Sequence, residues 1–536
     1  MTRTIVIGGG IAGLASAALL AREGHEVLLL ERLDRLGGRA GSVARDGFRF
    51  ETGPSWYLMP GAFDHFFELM GTTTAEQLDL RHLDPAYRVF SEPDDGGDSD
   101  ENSDGPVRAP LTIPLGAAEV LDVFEATEPG SREALSDYLA SAVHTNKMAE
   151  RYFLYNPFTR LRSLMNRQIV MSMPTLARLL LTPLDRFVAR RFRHPVLRQI
   201  LGYPAVFLGT SPSAAPAMYH LMSALDLHEG VQYPMGGFTA LVERLEALAL
   251  EAGVTIVTGA DVAEITVTGA RGERCVSGVR WQDAEGTAKH SRADVVVSAA
   301  DLHHTETHLL STADRSYPER WWQQRTSGPG AVLVLLGVRG ELPELAHHSL
   351  LFTRDWDANF TAIFGKHPSV PDPASIYVCK PSATDPNVAP ADHENLFVLV
   401  PIPADVSLGS GGPDGTGDTA IERAADAAID QLASWAGIPD LRERIVVRQT
   451  IGPADFARDY HSWRGGMLGP AHTLRQSAMF RAQNASKRVR GLFYAGATTA
   501  PGVGVPMCLI SAELVLKRVR GDHSAGPTAP RAEAHA

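Results

Sequence analysis

The chain is poor in cysteine. Its three, Cys275, Cys379 and Cys508, lie 104 and 129 residues apart, which fits neither a disulfide framework nor a CxxC metal or redox pair. A reducing, cytoplasmic setting is the expectation. Basic residues are also in deficit. Lys plus Arg number 50 against 62 Asp plus Glu, a net charge of −12, which argues against a nucleic-acid binder. Residues 4–21 are eighteen uncharged positions, the nearest approach to a membrane span or signal core. Glycines at 8, 9, 10 and 13 interrupt them, and no other run approaches the roughly 18 apolar residues a bilayer needs. No GxSxG elbow is present. His303–His304 and His347–His348 have no carboxylate or cysteine companions at metal spacing, so no metal site is expected. With 44% hydrophobic and 21% charged residues, the 536-residue chain is neither disordered nor fibrous and forms two or three packed units.

The N-terminal pattern is a βαβ unit: a β-branched strand over 4–7, a turn over 8–13, an Ala/Leu-rich helix over 14–22 capped by Gly24, and a buried strand over 27–30 ending at Glu31. A strand is expected over 46–51, a Gly/Pro loop over 52–60 and a helix over 62–70. Residues 116–230 read mostly as helices and 239–252 as another, followed by strand 254–257 and a meander to 281. Buried strands follow at 294–300, 331–338, 376–379, 396–401 and 492–495, the last running into a glycine-rich turn and a helix from Pro506 to about 519. Elements of dinucleotide type therefore occur at both ends and in the middle, with a second unit between them.

Gly8-x-Gly10-x-x-Gly13 matches the dinucleotide fingerprint: a tight turn, a bare backbone for the pyrophosphate, and close helix packing. The turn opens a helix whose N-terminal dipole favours phosphate. Glu31, 18 residues after Gly13, stands at a strand end, where a carboxylate accepts both hydroxyls of an adenosine ribose and repels a 2′-phosphate. Arg35-Leu36-Gly37-Gly38-Arg39 then adds a second bare turn and a guanidinium, placed to meet the diphosphate and the far half of a flavin dinucleotide. A simple NAD domain has no such element here. A third turn, from Gly496 to Pro506, has glycines at 496, 502 and 504. A helix N-terminus at a flavin's N1/O2 edge would stabilise the charge that develops there on reduction. Taken alone, that turn fits a structural crossover equally well.

Together these segments resemble the FAD-dependent amine-oxidase-like superfamily and, within it, the bacterial phytoene (carotenoid) desaturases. The resemblance runs through IVIGGGIAGL, LLLERLDRLGGRAGS, FETGPSWYLMP, YPMGGFTALVERL, ADVVVSAAD, YVCKPSATDP and YAGATTAPGVGVPMCLISAEL. It implies an α/β fold: a discontinuous Rossmann-like FAD-binding domain (1–60, 235–310, 470–520) with an inserted substrate domain of mixed sheet and helices (61–234, 311–469). It implies backbone contacts to FAD from Gly8, Gly10, Ala12 and Gly13, ribose binding by Glu31, a further cofactor contact at Arg32, and diphosphate contacts at Gly38 and Arg39. Flavin contacts are implied at Pro54, Ser55, Gly496, Gly504 and Val505, and adenine packing at Val262. The implied reaction is desaturation of phytoene toward neurosporene or lycopene by hydride transfer to the flavin, with a quinone or oxygen as electron acceptor. A C30 diapophytoene desaturase, a carotenoid isomerase or ketolase, an amine oxidase and a non-catalytic prenyl-lipid escort are the alternatives. Many bacterial members carry a histidine before the proline of the terminal turn, where this chain has Ala500, and an acid near Ser163 is absent, so no catalytic acid or base is assigned.

Residues 151–198 contain ten arginines and one acid, Asp185, interleaved with apolar side chains at helical spacing. Such a segment is expected to lie on an anionic membrane surface, making the protein peripheral to the inner face of the cell membrane, where a long apolar polyene is dissolved. Residues 92–109 read as a solvated acidic insertion, with seven acids and no base between Glu92 and Asp104, and 521–536 as a disordered tail.

Overall fold

The computed structural model describes residues 1–93, 109–160, 167–270 and 272–530, without side chains for 167–170. Most of the acidic insertion and Ser163 lie outside the described residues.

Five parallel strands form the first sheet, in the order Leu492–Tyr494, Val295–Ser298, Arg3–Ile7, Glu26–Leu30, Thr255–Val257. Its central strands, Val295–Ser298 and Thr4 to Ile7 of Arg3–Ile7, are buried on both faces, as their unbroken apolar runs require. One face is covered by helices Ile11–Arg22, Gly237–Glu251 and Val505–Arg520, which share a core with Val6, Leu29 and Val297. The other face, carrying Ile5, Ile7 and Leu30, packs on the antiparallel strands Asp261–Thr268 and Cys275–Gln282 and on Trp322.

The second sheet has seven strands, in the order Ile445–Ile451, Gly330–Arg339, His393–Ile402, Ile376–Cys379, His348–Phe352, Tyr87–Ser91, Leu111–Ile113. All pairs are antiparallel except His348–Phe352 with Tyr87–Ser91. Alternation along Gly330–Arg339 sorts its side chains. Val332, Val334, Leu336 and Val338 face helix Thr419–Ala436, whereas Ala331, Leu333 and Leu335 face the helical layer contributed by residues between 117 and 227.

Three local features differ from the sequence-based expectation. Residues 46–51 are half of a hairpin, Ser42–Arg45 with Phe48–Glu51. Its turn is Asp46-Gly47, both at positive φ (50° and 85°), the conformation a two-residue hairpin loop demands. The boundary drawn at 60/61 falls at the start of helix Pro60–Leu69, whose Phe63, Phe66 and Phe67 belong to the core of the nucleotide-type unit. Composition predicted disorder from Gly521, yet 521–530 is held down. Buried Lys517 donates to the carbonyls of Ser524 and Gly526, and Thr528 N–H donates to Glu513 (2.6 Å).

Candidate active site

The two glycine turns of the N-terminal region meet backbone to backbone. Gly37 N–H donates to Gly9 O (2.9 Å), and a Cβ built on Gly38 would stand 3.3 Å from Gly10 Cα. Helix Ile11–Arg22 begins with Gly10 as N-cap, no side-chain cap and no acid in its first turn, so its first amides stay free for an anion. Gly13 does a different job: a Cβ there would overlap the Gly8 carbonyl oxygen, so only glycine lets the helix start against the strand end. Glu31 is 7% exposed, and its two oxygens each accept one amide, from Gly9 (2.6 Å) and Leu33 (2.7 Å). The remaining lone pairs are left for two hydroxyls. Arg39 reaches Ser462 Oγ (2.8 Å) and stands 3.7 Å from Asp301, while its buried Nε has no partner. An open pair of turns, an acceptor carboxylate and an orphaned guanidinium N–H together fit a dinucleotide diphosphate and ribose.

Thirteen of the fourteen residues expected at the cofactor line one cavity of about 560 Å³. The exception is Gly13. Arg32 lies in the wall with its guanidinium committed to the carbonyls of Arg458 (3.0 Å) and Asp459 (2.5 Å). Val262 borders the ribose end, Ser55 donates to or accepts from Tyr377 Oη (2.6 Å), and Gly496 N–H donates to Ser511 Oγ (3.0 Å). Helix Val505–Arg520, packed beside helix Ile11–Arg22, starts with Gly504 as N-cap, again with no side-chain cap and no first-turn acid, and since Pro506 has no N–H the amides of Val505 and Met507 are the ones left open at the cavity.

Beyond the turns the cavity becomes a tunnel between the helical layer (Met148, Phe153, Leu176, Phe207) and the inner face of the large sheet (Leu333, Leu350, Leu399). Among the described residues the carboxylates of the wall are Glu31, Asp261, Asp301 and Asp459, all at the nucleotide end. Two polar groups by the tunnel were missed by sequence reasoning because their partners are remote in the chain. Tyr203 in the wall donates to buried Asp226 (2.8 Å), which also takes Tyr87 Oη (3.2 Å). Burial raises the Asp226 carboxyl to about 7 despite both hydroxyls. Likewise Tyr377, also in the wall, bonds His348 Nδ1 (2.8 Å), and Trp56 stacks on that imidazole at 4.2 Å.

The pair His347–His348 does acquire a companion in space. Cys379, opposite His348 in the sheet, brings three buried candidate ligands within 4.8 Å. Burial holds His348 well below and His347 at about 3, and pushes the thiol up to about 12, so the cluster is three neutral groups at neutral pH. His303 and His304 join His308 and His461 by the ribose end, where His304 and His461 stack face to face at 3.9 Å.

Comparison with known proteins agrees with this geometry. Residues 11–519 match the family described as flavin containing amine oxidoreductase. A carotenoid 3,4-desaturase of Haloarcula japonica is 40% identical over 95% of this chain and 96% of its own length. A zeta-carotene-forming phytoene desaturase of Myxococcus xanthus is 31% identical over 96% of this chain and 93% of its own. Among solved structures, an oxidoreductase from Methanosarcina mazei shares the fold with a TM-score of 0.58 at 16% identity, covering 96% of this chain and all of the other. With so much of its length shared, the chain belongs to the flavin containing amine oxidoreductases, whose cofactor here is FAD, and within them to the carotenoid desaturases.

Proposed function

We propose that the protein is a desaturase that introduces double bonds into phytoene, toward neurosporene or lycopene, on a membrane surface. The observation that carries this reading is the tunnel, which leads away from the two sets of free amides and whose wall, among the described residues, offers an apolar chain no charged partner. An amine cation would find no anion there, which disfavours an amine oxidase. Intact glycine turns with Glu31 and Arg39 disfavour a non-catalytic escort.

FAD, when bound, supplies a two-electron acceptor for a hydride leaving an allylic carbon; a quinone or oxygen is the proposed terminal acceptor. What this chain contributes is position and dryness. The sheet face and helical layer hold the polyene in line and exclude water. The N-terminus of helix Val505–Arg520 would offer the amides of Val505 and Met507 to the cofactor's edge, where they would stabilise negative charge. No strong base is required, because the allylic cation is stabilised by its own conjugation and its neighbouring proton is acidic.

The name of the Haloarcula relative favours a second reading, in which the substrate is an acyclic carotenoid already partly conjugated and the bond formed is C3–C4. Incubating FAD-reconstituted protein with liposomes carrying either phytoene or lycopene, then chromatographing the pigments, separates the two. Phytoene consumption supports the first, lycopene consumption alone the second, and neither overturns both.

The membrane surface we assign is built from two segments. Met171, Met173 and Leu181 of helix Arg167–Leu181 are 72%, 53% and 74% exposed, and Leu474, Met479 and Phe480 are also open to solvent. Tyr219 bridges them, lying on a turn packed against that helix and bonding Ser477, while Leu176 and Ala478 from the same segments line the tunnel. Arg178, Arg186 and Arg190 are exposed nearby. Arg191 is different: its guanidinium lies 4.1 Å over the Phe187 ring and donates to Phe187 O. Among the described residues no helix is long and apolar enough to cross a membrane. Changing Arg178, Arg186 and Arg190 together to Ser is expected to weaken binding to anionic liposomes by about 1 kcal/mol per charge, with little effect on neutral ones. Equal flotation of variant and parent would remove this surface.

A further inference from the structure

We infer that His472 is the positioning residue of the terminal glycine turn, gripping it from a separate segment of chain. The inference rests on the FAD assignment of that turn. Gly496, Gly502 and Gly504 have φ of 107°, 155° and 118°, a conformation open to glycine that glycine itself does not hold. The start of the turn is closed by Thr499, whose N–H (3.1 Å) and Oγ1 (2.9 Å) donate to Gly496 O, and Ala500 O is held by Asn484 and Ser511, but Gly502-Val503-Gly504 has no polar side chain of its own, so that stretch is shaped from outside.

Residues 470–481 impose it at two points. Buried Arg481 donates to Ala497 O (2.6 Å) and Thr499 O (2.9 Å), as well as to Pro470 O and Gln476 O. His472, anchored by its own N–H to Leu208 O (3.0 Å), packs its imidazole directly over Gly502, where any Cβ would collide with the ring. Its Nε2 accepts Val503 N–H (3.2 Å) and its Nδ1 meets Tyr219 Oη (2.9 Å). Carbonyls on one side and an amide on the other are thereby fixed. The amides at the start of helix Val505–Arg520 remain for the cofactor.

The hydrogen bonds also settle what His472 does not do. Val503 N–H is a donor, so Nε2 must be the lone-pair nitrogen and the proton of the neutral ring sits on Nδ1. That proton goes to Tyr219 Oη. Tyr219 in turn donates to Ser477 Oγ (2.9 Å), and Ser477 donates to Thr473 O (2.8 Å). Each proton in the chain has one acceptor, and the direction is single. The only basic lone pair of His472 is occupied by the backbone it holds. Although the residue lines the tunnel beside the turn, it acts through the turn, not on the polyene's proton.

The test uses the full-length protein reconstituted with FAD. His472→Ala is expected to weaken FAD binding about tenfold, the scale of one lost hydrogen bond plus a loosened turn. It should also move the flavin midpoint potential to more negative values and lower kcat with KM for the polyene little changed. His472→Gln, whose amide oxygen can accept Val503 N–H, should recover FAD affinity to within about threefold of the parent. Tyr219→Phe, which strands the Nδ1 proton, should fall between them. If His472→Ala fails to fold, the Gln and Phe variants still decide: parental affinity and potential in Tyr219→Phe would overturn the inference. So would an inactive His472→Gln with unaltered affinity and potential, because the imidazole would then be transferring a proton. Absence of a flavin band in the parent protein would instead defeat the FAD reading beneath it.

Discussion

The nucleotide end and the tunnel of this protein are built by opposite means. At the nucleotide end, the recognition we propose is by backbone: two glycine turns, a helix start and one carboxylate all fall within residues 8–39. In the tunnel the wall gathers side chains from segments as distant as Met148, Phe207, Leu333 and Leu399, so the recognition we propose there is by shape. A diphosphate has fixed charge and geometry, so a short rigid motif can match it. A polyene offers only length and apolar surface, so its site has to be assembled from whole layers. The difference teaches that a single substitution should act locally and sharply at one end, and by volume at the other.

The largest effects are expected from the glycines, which also divide the nucleotide end into ligand-facing and fold-facing parts. Gly13→Ala places a methyl on the Gly8 carbonyl and should destabilise the protein by about 3 kcal/mol or more, whether or not FAD is present. A Cβ on Gly10 would meet its nearest neighbours, Gly37 O and Gly38 Cα, at ordinary contact distances of 3.7 and 3.9 Å. Gly10→Ala should therefore leave the apo melting temperature within a few degrees of the parent while reducing FAD affinity at least tenfold. Calorimetry of both variants with and without FAD checks this; equal behaviour of the two would break the division.

The tunnel half of the comparison is sharpened by filling it. Leu333 is 2% exposed on the inner sheet face, and Leu333→Trp should cut polyene turnover at least tenfold while FAD affinity stays within about twofold, at a stability cost of about 1–3 kcal/mol. Loss of flavin together with turnover would mean that the two ends do not act independently.

The smallest effect concerns Asp226, in the tunnel's polar backing. Its carboxyl is raised in the folded state, so its contribution to stability is fully present below about pH 4 and is lost as pH rises through about 7. Asp226→Asn keeps an acceptor for Tyr203 and Tyr87 without titrating. At pH 8 the variant should be more stable than the parent by about 1 kcal/mol or more, and the advantage should shrink by pH 5. A pH-independent difference in urea melts would show that Asp226 stays ionised.

How much of this was legible in advance follows the same division. The strand–turn–helix at 4–22, Glu31 and the turn at 496–506 could be read directly because their signals are local: spacing of glycines, β-branched runs, an acid at a strand end. The Asp46-Gly47 turn was equally local and was passed over, although Asp-Gly between apolar alternations is the strongest short-range hairpin signal. The packed segment after Gly521 could not be read, since its anchor is Lys517, buried and shared with carbonyls of residues 155, 524 and 526. Nor could the Asp226–Tyr203–Tyr87 group, because nothing in the sequence brings residue 87 to residue 226.

The sequence by itself determined the nucleotide-binding architecture and the class of cofactor, because a bare backbone, a helix N-terminus and an acid at a strand end are properties of contiguous residues. Only the tertiary structure decided which groups surround the terminal turn and the tunnel. His472 and Arg481 reach the terminal turn, and Tyr377 reaches Ser55, across separations that only folding closes. The physical reason is range: phosphate recognition is written in backbone conformation, which each residue fixes for itself, whereas a dry apolar tunnel exists only when two layers have packed and excluded water between them.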